Sequence, residues 1–540
     1  MEKRMIIAIA LSLLVLLGFQ GLVAKRHARV QVATPAPSMG APAGTAERPP
    51  AGETAIPAAK SRQVPAGETL EENITEIRTE LYALAFSDMG GSLRKLSLNE
   101  YRKQDEEEVL YDEENPAERL FAMRSELSPG LENRKFELFK TSGTLEYKLT
   151  DPGWLEITKR YTFHKSFGYI DLEVFAKNLS PRRIVFSYQI VGPSGLERSD
   201  HIAGRSFLQA DTMIDGKLWK IKSVKGVQER TGDISWTALK NRYFALMLKP
   251  FNAPRSVAIT QTGDKNFLIA LNSRTCELEP GTETEDRYLL YAGPLDEERI
   301  AAAGYDMQKV VDYGFFGGVS KALLSVLRFF HKWAHNWGVA IILLTILINA
   351  VLFPLTVKSF SSMQQMKTIQ PHIQKLKELH KDNPQKLNKE MMELYKKYNV
   401  NPLGGCLPLL LQMPIFIALY QGLMRSVELK GAQFLWIKDL AKPDAVPLPF
   451  SLPVIGTNIN ILPLLMVGVM MLQQKISQGA AAGTMTSEQA SQQKMMMMAM
   501  PLLFGVLFYK MPAGLVLYWL TNTILMTAEQ SLISKRISRN

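Results

Sequence analysis

The chain has 540 residues, of which 46% are hydrophobic, and it carries a formal net charge of +11. This length exceeds that of one ordinary domain, and the basic residues cluster beside apolar segments, which favours membrane topology over specific nucleic-acid binding. Motifs for phosphate loops, zinc hydrolases and nucleophile elbows are absent from the sequence, and Cys276 and Cys406 lie in regions of different character, so we expect neither an enzyme nor a bound metal or cofactor.

Residues 1–24 are predicted to form an N-terminal transmembrane anchor. The basic start Glu2-Lys3-Arg4 precedes an apolar stretch from Met5 to Ala24, which is about the length that crosses a bilayer as a helix. A cleaved signal peptide is the alternative, but Lys25-Arg26-His27 follows directly and no small-residue cleavage site is present. Residues 25–70 are rich in Ala, Pro and Gly and are predicted to be a linker.

Residues 71–314 are predicted to form a periplasmic antiparallel β-sandwich. Apolar side chains alternate with polar ones around Leu172, Val174 and Ala176, and again from Ile184 to Ile190. A period of two with β-branched and aromatic residues is typical of half-buried strands. Turn-forming residues separate these runs, and long helical patterns are scarce.

Residues 315–336 combine a helical apolar spacing with several basic residues. Val319, Leu323, Leu327 and Trp333 are among the apolar positions. This pattern predicts an amphipathic helix that lies along the membrane interface. An ordinary helix that caps the preceding domain is the alternative.

The remaining sequence predicts an α-helical membrane core of five spans. Counting the anchor as the first, we expect spans 2 to 6 at residues 337–357, 403–424, 460–473, 495–509 and 515–530. The segments between and after them are a cytoplasmic helical hairpin at 358–402, a periplasmic loop at 425–459, a cytoplasmic loop at 474–494 and a basic tail at 531–540. The whole chain is thus predicted to be a multi-domain, multi-pass protein of the cell inner membrane.

Charge sets the predicted orientation of these spans. The segment from Lys358 to Tyr398 is rich in lysine, and the tail contains Lys535, Arg536 and Arg539 but no acidic residue. An excess of lysine and arginine marks the cytoplasmic side. Both termini are therefore predicted to be cytoplasmic, with the β-domain on the opposite side.

The cytoplasmic segment 358–402 shows helical apolar spacing on both sides of Asp382-Asn-Pro384. We expect two amphipathic helices joined by a turn. The segment is either a solvated connector or a docking arm for a ribosome, a targeting factor or a nascent chain.

Several motifs of the second half resemble the YidC/Oxa family of membrane protein insertases. They occur in the family's order and are Trp337-Gly338 through Pro354-Leu-Thr356, Asn401-Pro-Leu-Gly-Gly-Cys406, Gln412-Met-Pro414, Phe434-Leu-Trp-Ile-Lys-Asp439 and Pro512-Ala-Gly-Leu-Val-Leu-Tyr518. The resemblance implies structural roles for Pro354, Pro402, Gly404, Gly405, Cys406, Pro414, Pro512 and Gly514. The large β-domain resembles that of the Gram-negative bacterial form.

The resemblance implies a protein that inserts integral membrane proteins and helps them fold, alone or with the Sec translocon. Its partners would be nascent membrane proteins, the Sec translocon, anionic lipids, and a ribosome or targeting factor bound through 358–402 and the basic tail. A small-molecule transporter and a membrane-anchored periplasmic carbohydrate-binding protein are the alternatives. The spans show no inverted repeats that would favour a transporter.

Polar side chains within the predicted spans are the candidate substrate groove, because such residues are costly in lipid and need a reason. The candidates are Thr345, Asn349, Gln412, Tyr518 and Asn522. The resemblance adds Trp519, because Tyr518 and Trp519 lie where the family has aromatic residues that contact substrate spans. The resemblance implies a groove that opens to cytoplasm and lipid and is closed at the periplasmic face. Interhelical hydrogen bonding is the alternative for the polar residues, and packing is the alternative for Tyr518 and Trp519.

Asn349 departs from the family pattern. Members usually carry an arginine or lysine in the second span, and by the register from Trp337 to Pro354 that position is Asn349 here. An amide can bond to polar groups, but it cannot attract an acidic tail by charge. Either the groove that the resemblance implies works by hydration alone, or residue 349 is altered in this sequence.

Overall fold

The computed structural model describes residues 71–103, 106–151, 153–164, 168–196, 207–262, 266–380, 383–398, 400, 407–452, 456–478 and 487–537. The predicted anchor and linker, residues 1–24 and 25–70, lie outside these residues.

Twenty of the described strands precede the helical region. They are β1 (Ile74–Arg78), β2 (Tyr82–Ser87), β3 (Ser92–Lys103), β4 (Glu106–Asp112), β5 (Met123–Arg124), β6 (Glu137–Thr141), β7 (Thr144–Asp151), β8 (Leu155–Phe163), β9 (Tyr169–Asn178), β10 (Ile184–Phe186), β11 (Gln189–Ser194), β12 (Gln209–Ile214), β13 (Lys217–Ile221), β14 (Val227–Thr231), β15 (Ile234–Lys240), β16 (Phe244–Pro250), β17 (Ser256–Thr262), β18 (Asn266–Asn272), β19 (Cys276–Leu278) and β20 (Glu283–Pro294).

These strands form the predicted antiparallel β-sandwich. A nine-stranded sheet has the order β13-β12-β15-β16-β20-β9-β8-β7-β6, a five-stranded sheet has the order β14-β17-β18-β11-β5, and β1 to β4 form a further sheet. Gly192 of β11 lies against Leu248 of β16, where an added Cβ would come within 3.4 Å of the leucine side chain. The core therefore lies between the two large sheets, and the prediction of a β-sandwich is confirmed.

The predicted period of two is present in β9 and in the segment 184–190. Leu172, Val174 and Ala176 are buried, whereas the residues between them are half-buried. Ile184 to Ile190 also alternate, but the segment is divided between β10 and β11, which pair in different sheets. Periodicity identifies which face is buried, but it does not identify the strand that will pair.

Eight α-helices lie in the described part of the chain, and the last seven form the helical region. They are α1 (Glu297–Ala301), α2 (Gly317–Ala334), α3 (Trp337–Leu379), α4 (Pro384–Lys397), α5 (Leu407–Arg425), α6 (Ile461–Gln478), α7 (Ser487–Phe508) and α8 (Ala513–Ile537). A hairpin of β21 (Val446–Leu452) and β22 (Gly456–Ile459) lies between α5 and α6.

Helix α3 is longer than the predicted second span. It continues from Trp337 through residue 357, where we expected the span to end, as far as Leu379. The first helix of the predicted cytoplasmic hairpin is therefore an extension of the same helix, because residues after 357 are good helix formers and Pro354 lies within the helix without ending it. The predicted loop 474–494 is also shorter here, since α6 extends to Gln478 and α7 begins at Ser487.

Length and hydropathy identify one described helix that could cross a membrane. Residues Trp337–Met366 of α3 have a mean hydropathy of 2.5, and Ile461–Ile476 and Met498–Phe508 are shorter apolar stretches. The number of spans stays a prediction.

Candidate functional site

Helices α3 and α8 pack against each other and bring two of the predicted groove residues into contact. The Asn349 amide nitrogen donates hydrogen bonds to the Asn522 side-chain oxygen at 2.9 Å and to the Thr345 carbonyl at 2.8 Å. Asn349 is 7% exposed and Asn522 is 4% exposed. Two buried amides thus join the helices through a side-chain hydrogen bond.

A second polar pair joins α5 to α8. The Gln412 amide donates to the Tyr518 hydroxyl, and both side chains are buried. Thr345 donates instead to the carbonyl of Ile341 within α3, at 2.7 Å. We call Thr345, Asn349, Gln412, Tyr518 and Asn522 the polar seam. Each of its side chains has a protein partner, so in this structure the seam is closed between the helices rather than open to solvent.

The polar contact continues beyond the seam with residues that the sequence analysis missed. Thr356 and Ser359 of α3, and Thr523, Thr527 and Gln530 of α8, are all buried. Thr527 donates to the Thr523 carbonyl at 2.6 Å, and Thr356 donates to the Leu352 carbonyl at 3.1 Å. Their three- and four-residue spacing along each helix is the signal that could have identified them.

Trp519 lies in an aromatic cluster beside the seam. Its ring centroid is 4.8 Å from that of Phe416, 5.5 Å from that of Phe504 and 5.4 Å from that of Phe508. These rings belong to α5 and α7 and are packed against α8. Trp519 and the buried Tyr518 are thus packed within the bundle, and contact of either side chain with a substrate stays a prediction.

The motif residues lie at helix positions where backbone geometry is restricted. Pro354 and Pro414 are inside α3 and α5, and the Pro512 carbonyl accepts from the Leu515 amide at 3.0 Å in the first turn of α8. At Gly514, an added Cβ would be 3.2 Å from the Leu440 carbonyl. Pro402, Gly404, Gly405 and Cys406 lie outside the described residues.

We call the end of the helical bundle that faces the β-domain the domain-side end. A loop closes this end. It consists of residues 431–445, which follow α5, and we call it the clamp loop. The Lys442 carbonyl accepts from the Ala513 amide at 2.7 Å, and the Leu440 carbonyl accepts from the Gly514 amide at 2.9 Å. These bonds satisfy amides at the first turn of α8 that have no partner within the helix.

The same loop caps α6. One Asp444 carboxylate oxygen accepts from the Ile461 amide at 2.7 Å and from the Leu462 amide at 2.9 Å. Asn460 bonds to the Ala445 amide at 2.9 Å and to the Tyr509 carbonyl at 2.6 Å. The clamp loop therefore binds the first turns of α6 and α8, and Asn460 connects it to Tyr509, which follows α7.

A buried arginine connects the β-domain to the domain-side end of the helical bundle. Arg242 follows β15 and donates to the Met424 carbonyl, at the end of α5, and to the Ala441 carbonyl at 3.3 Å in the clamp loop. Lys430 forms an ion pair with Glu108 of β4, and Arg328 of α2 pairs with Glu428 at 3.0 Å. The β-domain thus contacts α5 and the clamp loop directly, and both the β-domain and α2 contact the short segment that joins α5 to the clamp loop.

The outer surface of the helical region exposes large apolar side chains. Val506 of α7 is 76% exposed and Val351 of α3 is 69% exposed. The other exposed positions on these helices include Phe353, Leu464, Leu472, Leu502, Leu507, Ile524 and Leu532. A surface in water rarely carries so many of them side by side, whereas a bilayer is the natural environment for such a surface.

The residues with defined placement form no candidate metal-binding site. A cluster of three or more His, Cys, Asp or Glu side chains that could hold a metal ion is absent there, and Cys276 is a free thiol.

Comparison with known proteins identifies the family of both regions. The family described as YidC periplasmic domain matches residues 74–326, and the family described as 60Kd inner membrane protein matches residues 329–540. The membrane protein insertase YidC of Pelobacter propionicus is 33% identical, with all of both chains covered. That of Syntrophobacter fumaroxidans is 37% identical over 73% of this chain and 71% of its own length.

Among solved structures, the crystal structure of an active YidC insertase with its first transmembrane domain resolved is 18% identical, covers 85% of this chain and 94% of that chain, and has a TM-score of 0.36. The Pelobacter and Syntrophobacter relatives do not favour a transporter or a carbohydrate-binding protein, and insertases are not enzymes, in agreement with the prediction from the sequence. The identity to the Pelobacter protein over the whole length, with both family matches in the expected order, establishes that this chain belongs to the YidC family of membrane protein insertases.

Proposed function

We propose that the chain inserts other proteins into the inner membrane and that the polar seam is the core of the groove that receives their polar segments. The observation that carries this proposal is the Asn349–Asn522 amide pair between α3 and α8. It lies inside a helical bundle whose outer side chains are apolar. Buried polar side chains in such a bundle are costly and are commonly functional.

In the proposed topology, both termini and the lysine-rich part of α3 and α4 are cytoplasmic, and the domain-side end faces the periplasm. Helix α2 then lies at the periplasmic interface of the inner membrane. Its Ser320, Leu324 and Leu327 pack into the protein, whereas Trp333 is 75% exposed and Phe329 is also exposed. Aromatic side chains favour the headgroup level of a bilayer.

The groove would be closed toward the periplasm and open toward the cytoplasm. The clamp loop covers the periplasmic ends of α6 and α8 through Leu440, Lys442 and Asp444. In the other direction, the buried polar residues continue from Asn349 to Thr356 and Ser359 on α3. A polar path that begins at the cytoplasm and stops partway across matches an insertion route rather than a channel.

Solvation provides the driving force in this proposal. An unsatisfied polar group costs several kcal/mol in hydrocarbon, and amides along the path replace part of the water that a passing polar segment loses. The hydrophobic span that follows gains about 25 cal/mol for each Å² that it buries in lipid. Nucleotide hydrolysis is therefore not required.

Entry of a substrate requires the seam to open between its helices. Separation of α8 from α3 and α5 would free the Asn349, Asn522, Gln412 and Tyr518 side chains for hydrogen bonds to the guest. Each such interhelical bond contributes about 0.6–2 kcal/mol, which is small enough for a substrate to replace. Tyr518 and Trp519 would then contact the inserting span.

The cytoplasmic extension of α3 and helix α4 form the surface that we assign to partners. His380 near the end of α3 bonds to Glu390 of α4 at 2.8 Å, and His372 stacks on Tyr398 with centroids 5.6 Å apart. This held pair of helices carries many lysines, which suits a ribosome, a targeting factor or anionic lipids. Cooperation with the Sec translocon would add a route for larger substrates.

Reconstitution of the purified chain in liposomes tests the proposed function. A short single-span substrate should become protected from protease in proteoliposomes without any nucleotide, and it should stay accessible in empty liposomes. Insertion that occurs only after ATP is added would contradict the mechanism.

A further inference from the structure

Glu529 is an acidic side chain within the proposed last span. It lies on α8, and its Oε2 atom is shielded from solvent and accepts no hydrogen bond from any residue with defined placement. Ionisable groups within membrane spans are costly unless they have a partner or a function. The hydrogen-bonding capacity of this oxygen atom is unused among the described residues.

The position of Glu529 places it on the path that leads from the polar seam. It follows Asn522 by seven residues, so the two side chains leave α8 within about 20° of each other and are about 10 Å apart along the helix. Thr356 follows Asn349 by seven residues on α3. Because α3 and α8 both begin at the domain-side end, Glu529 and Thr356 lie at similar depth on the cytoplasmic side of the amide pair.

The helix itself offers Glu529 no cation. Side chains on one helix meet at spacings of three and four residues, and at those spacings Glu529 has Leu525, Met526, Leu532 and Ile533. Among the described residues, no lysine or arginine of the other helices forms an ion pair with Glu529 either. The carboxylate can therefore pair with a cation of another molecule.

We propose that Glu529 is a specificity residue of the groove, whose carboxylate pairs with a lysine or arginine that flanks the inserting span. This inference rests on the proposed function and topology. Spans of membrane proteins carry such basic residues on their cytoplasmic side. Glu529 lies on the cytoplasmic side of the amide pair, so it holds the flanking cation there while the apolar part moves into lipid.

The test compares two single-span substrates in proteoliposomes of the full chain, identical except for lysine or glutamine at the cytoplasmic flank. The native chain should insert the lysine substrate several-fold more efficiently than the glutamine substrate. Glu529→Gln should lower insertion of the lysine substrate to the level of the glutamine substrate and leave the latter unchanged. Glu529→Asp, which retains the charge, is the matched control and should retain most of the preference.

A charge exchange separates recognition from a structural role. Glu529→Lys should restore insertion of a substrate whose flanking lysine is replaced by glutamate. Equal loss of insertion of both substrates in Glu529→Gln, or no rescue by the exchange, would overturn the inference. If the native chain inserts neither substrate, the proposed function itself fails, and this inference with it.

Discussion

The interhelical hydrogen bonds of the polar seam come from two pairs of side chains, of which Asn349 and Asn522 form the first. One hydrogen bond of 2.9 Å joins their amides across two helices, and a second pair, Gln412 and Tyr518, joins α5 to α8. An amide donates and accepts without carrying charge. The polar seam can therefore exchange its own hydrogen bonds for those of a substrate's polar groups without favouring either charge.

Replacement of Asn349 by arginine should introduce a positive charge into the uncharged polar seam. Asn349→Arg is expected to increase insertion of substrates with acidic tails several-fold, because unit charges about 4 Å apart attract by roughly 4 kcal/mol at an effective dielectric of 20. Insertion of a matched substrate with a neutral tail is the control and should not increase. Equal insertion of the acidic-tail substrate by both proteins would contradict the claim.

Lys159 is a lysine that is buried in the core of the β-domain. Its ammonium donates to the Gly90 carbonyl at 2.6 Å and to the Phe121 carbonyl at 2.7 Å, and burial lowers its pKa to about 7. A lysine in the unfolded chain has a pKa of about 10.4. Between these values the unfolded chain binds more protons, so the stability of the fold rises as pH increases from about 7 to about 10.

Lys159→Met should remove that contribution to the pH dependence. We expect the melting temperature of the full chain in micelles to rise less between pH 7 and pH 9.5 in this variant than in the native chain. Lys217→Met, at an exposed position, is the control and should keep the native dependence. The same rise in both variants would show that Lys159 does not titrate as proposed.

At the scale of the elements, the clamp loop stabilises helix ends that the sequence does not cap locally. The residue before α6 is Asn460, yet the first amides of that helix are bound by Asp444, which is 17 and 18 residues away from them. Asp444→Ala should destabilise the bundle by about 1–2 kcal/mol, the usual effect of removing a capping side chain. Hydrogen exchange at the Ile461 and Leu462 amides should then become faster.

Asp444→Asn is the matched control for this cap. An asparagine oxygen still accepts hydrogen bonds from backbone amides, so exchange at these two positions should stay close to that of the native chain. Unchanged exchange in Asp444→Ala would mean that the first turn of α6 is held by other contacts.

The sequence predicted the β-sandwich because alternation along a strand is a local property. Leu172, Val174 and Ala176 are buried as expected. The sequence also identified five polar residues within the apolar segments of α3, α5 and α8, but it missed others, such as Thr356 and Thr527. It could not predict that Asn349 meets Asn522, or that Asp444 caps α6, because such pairs depend on helix packing between distant segments.

For the whole molecule, the contact between the β-domain and the helical region is the feature that local patterns could not predict. Arg242 is almost completely buried and bonds to backbone carbonyls of α5 and the clamp loop. A hydrogen bond from a charged group contributes about 1.5–3 kcal/mol. The β-domain thus contacts the clamp loop, which closes the domain-side end of the bundle.

Arg242→Met should weaken this coupling. We expect the thermal unfolding of the full chain in micelles, followed by calorimetry, to separate into a transition of the β-domain and a later one of the helical region. Arg242→Lys retains a donor and should give an intermediate profile. A transition identical to that of the native chain would show that the contact is not significant for coupling.

The central claim is that a substrate enters between α3 and α8, and crosslinking from α8 tests it most directly. A photoreactive amino acid placed at Asn522 should form adducts with the polar segment of a stalled nascent membrane protein, whereas one placed at the exposed Ile524, two residues along the same helix, should give few. Adducts from position 524 with none from position 522 would contradict the account, because they would place the substrate on the lipid-facing surface and leave the seam closed.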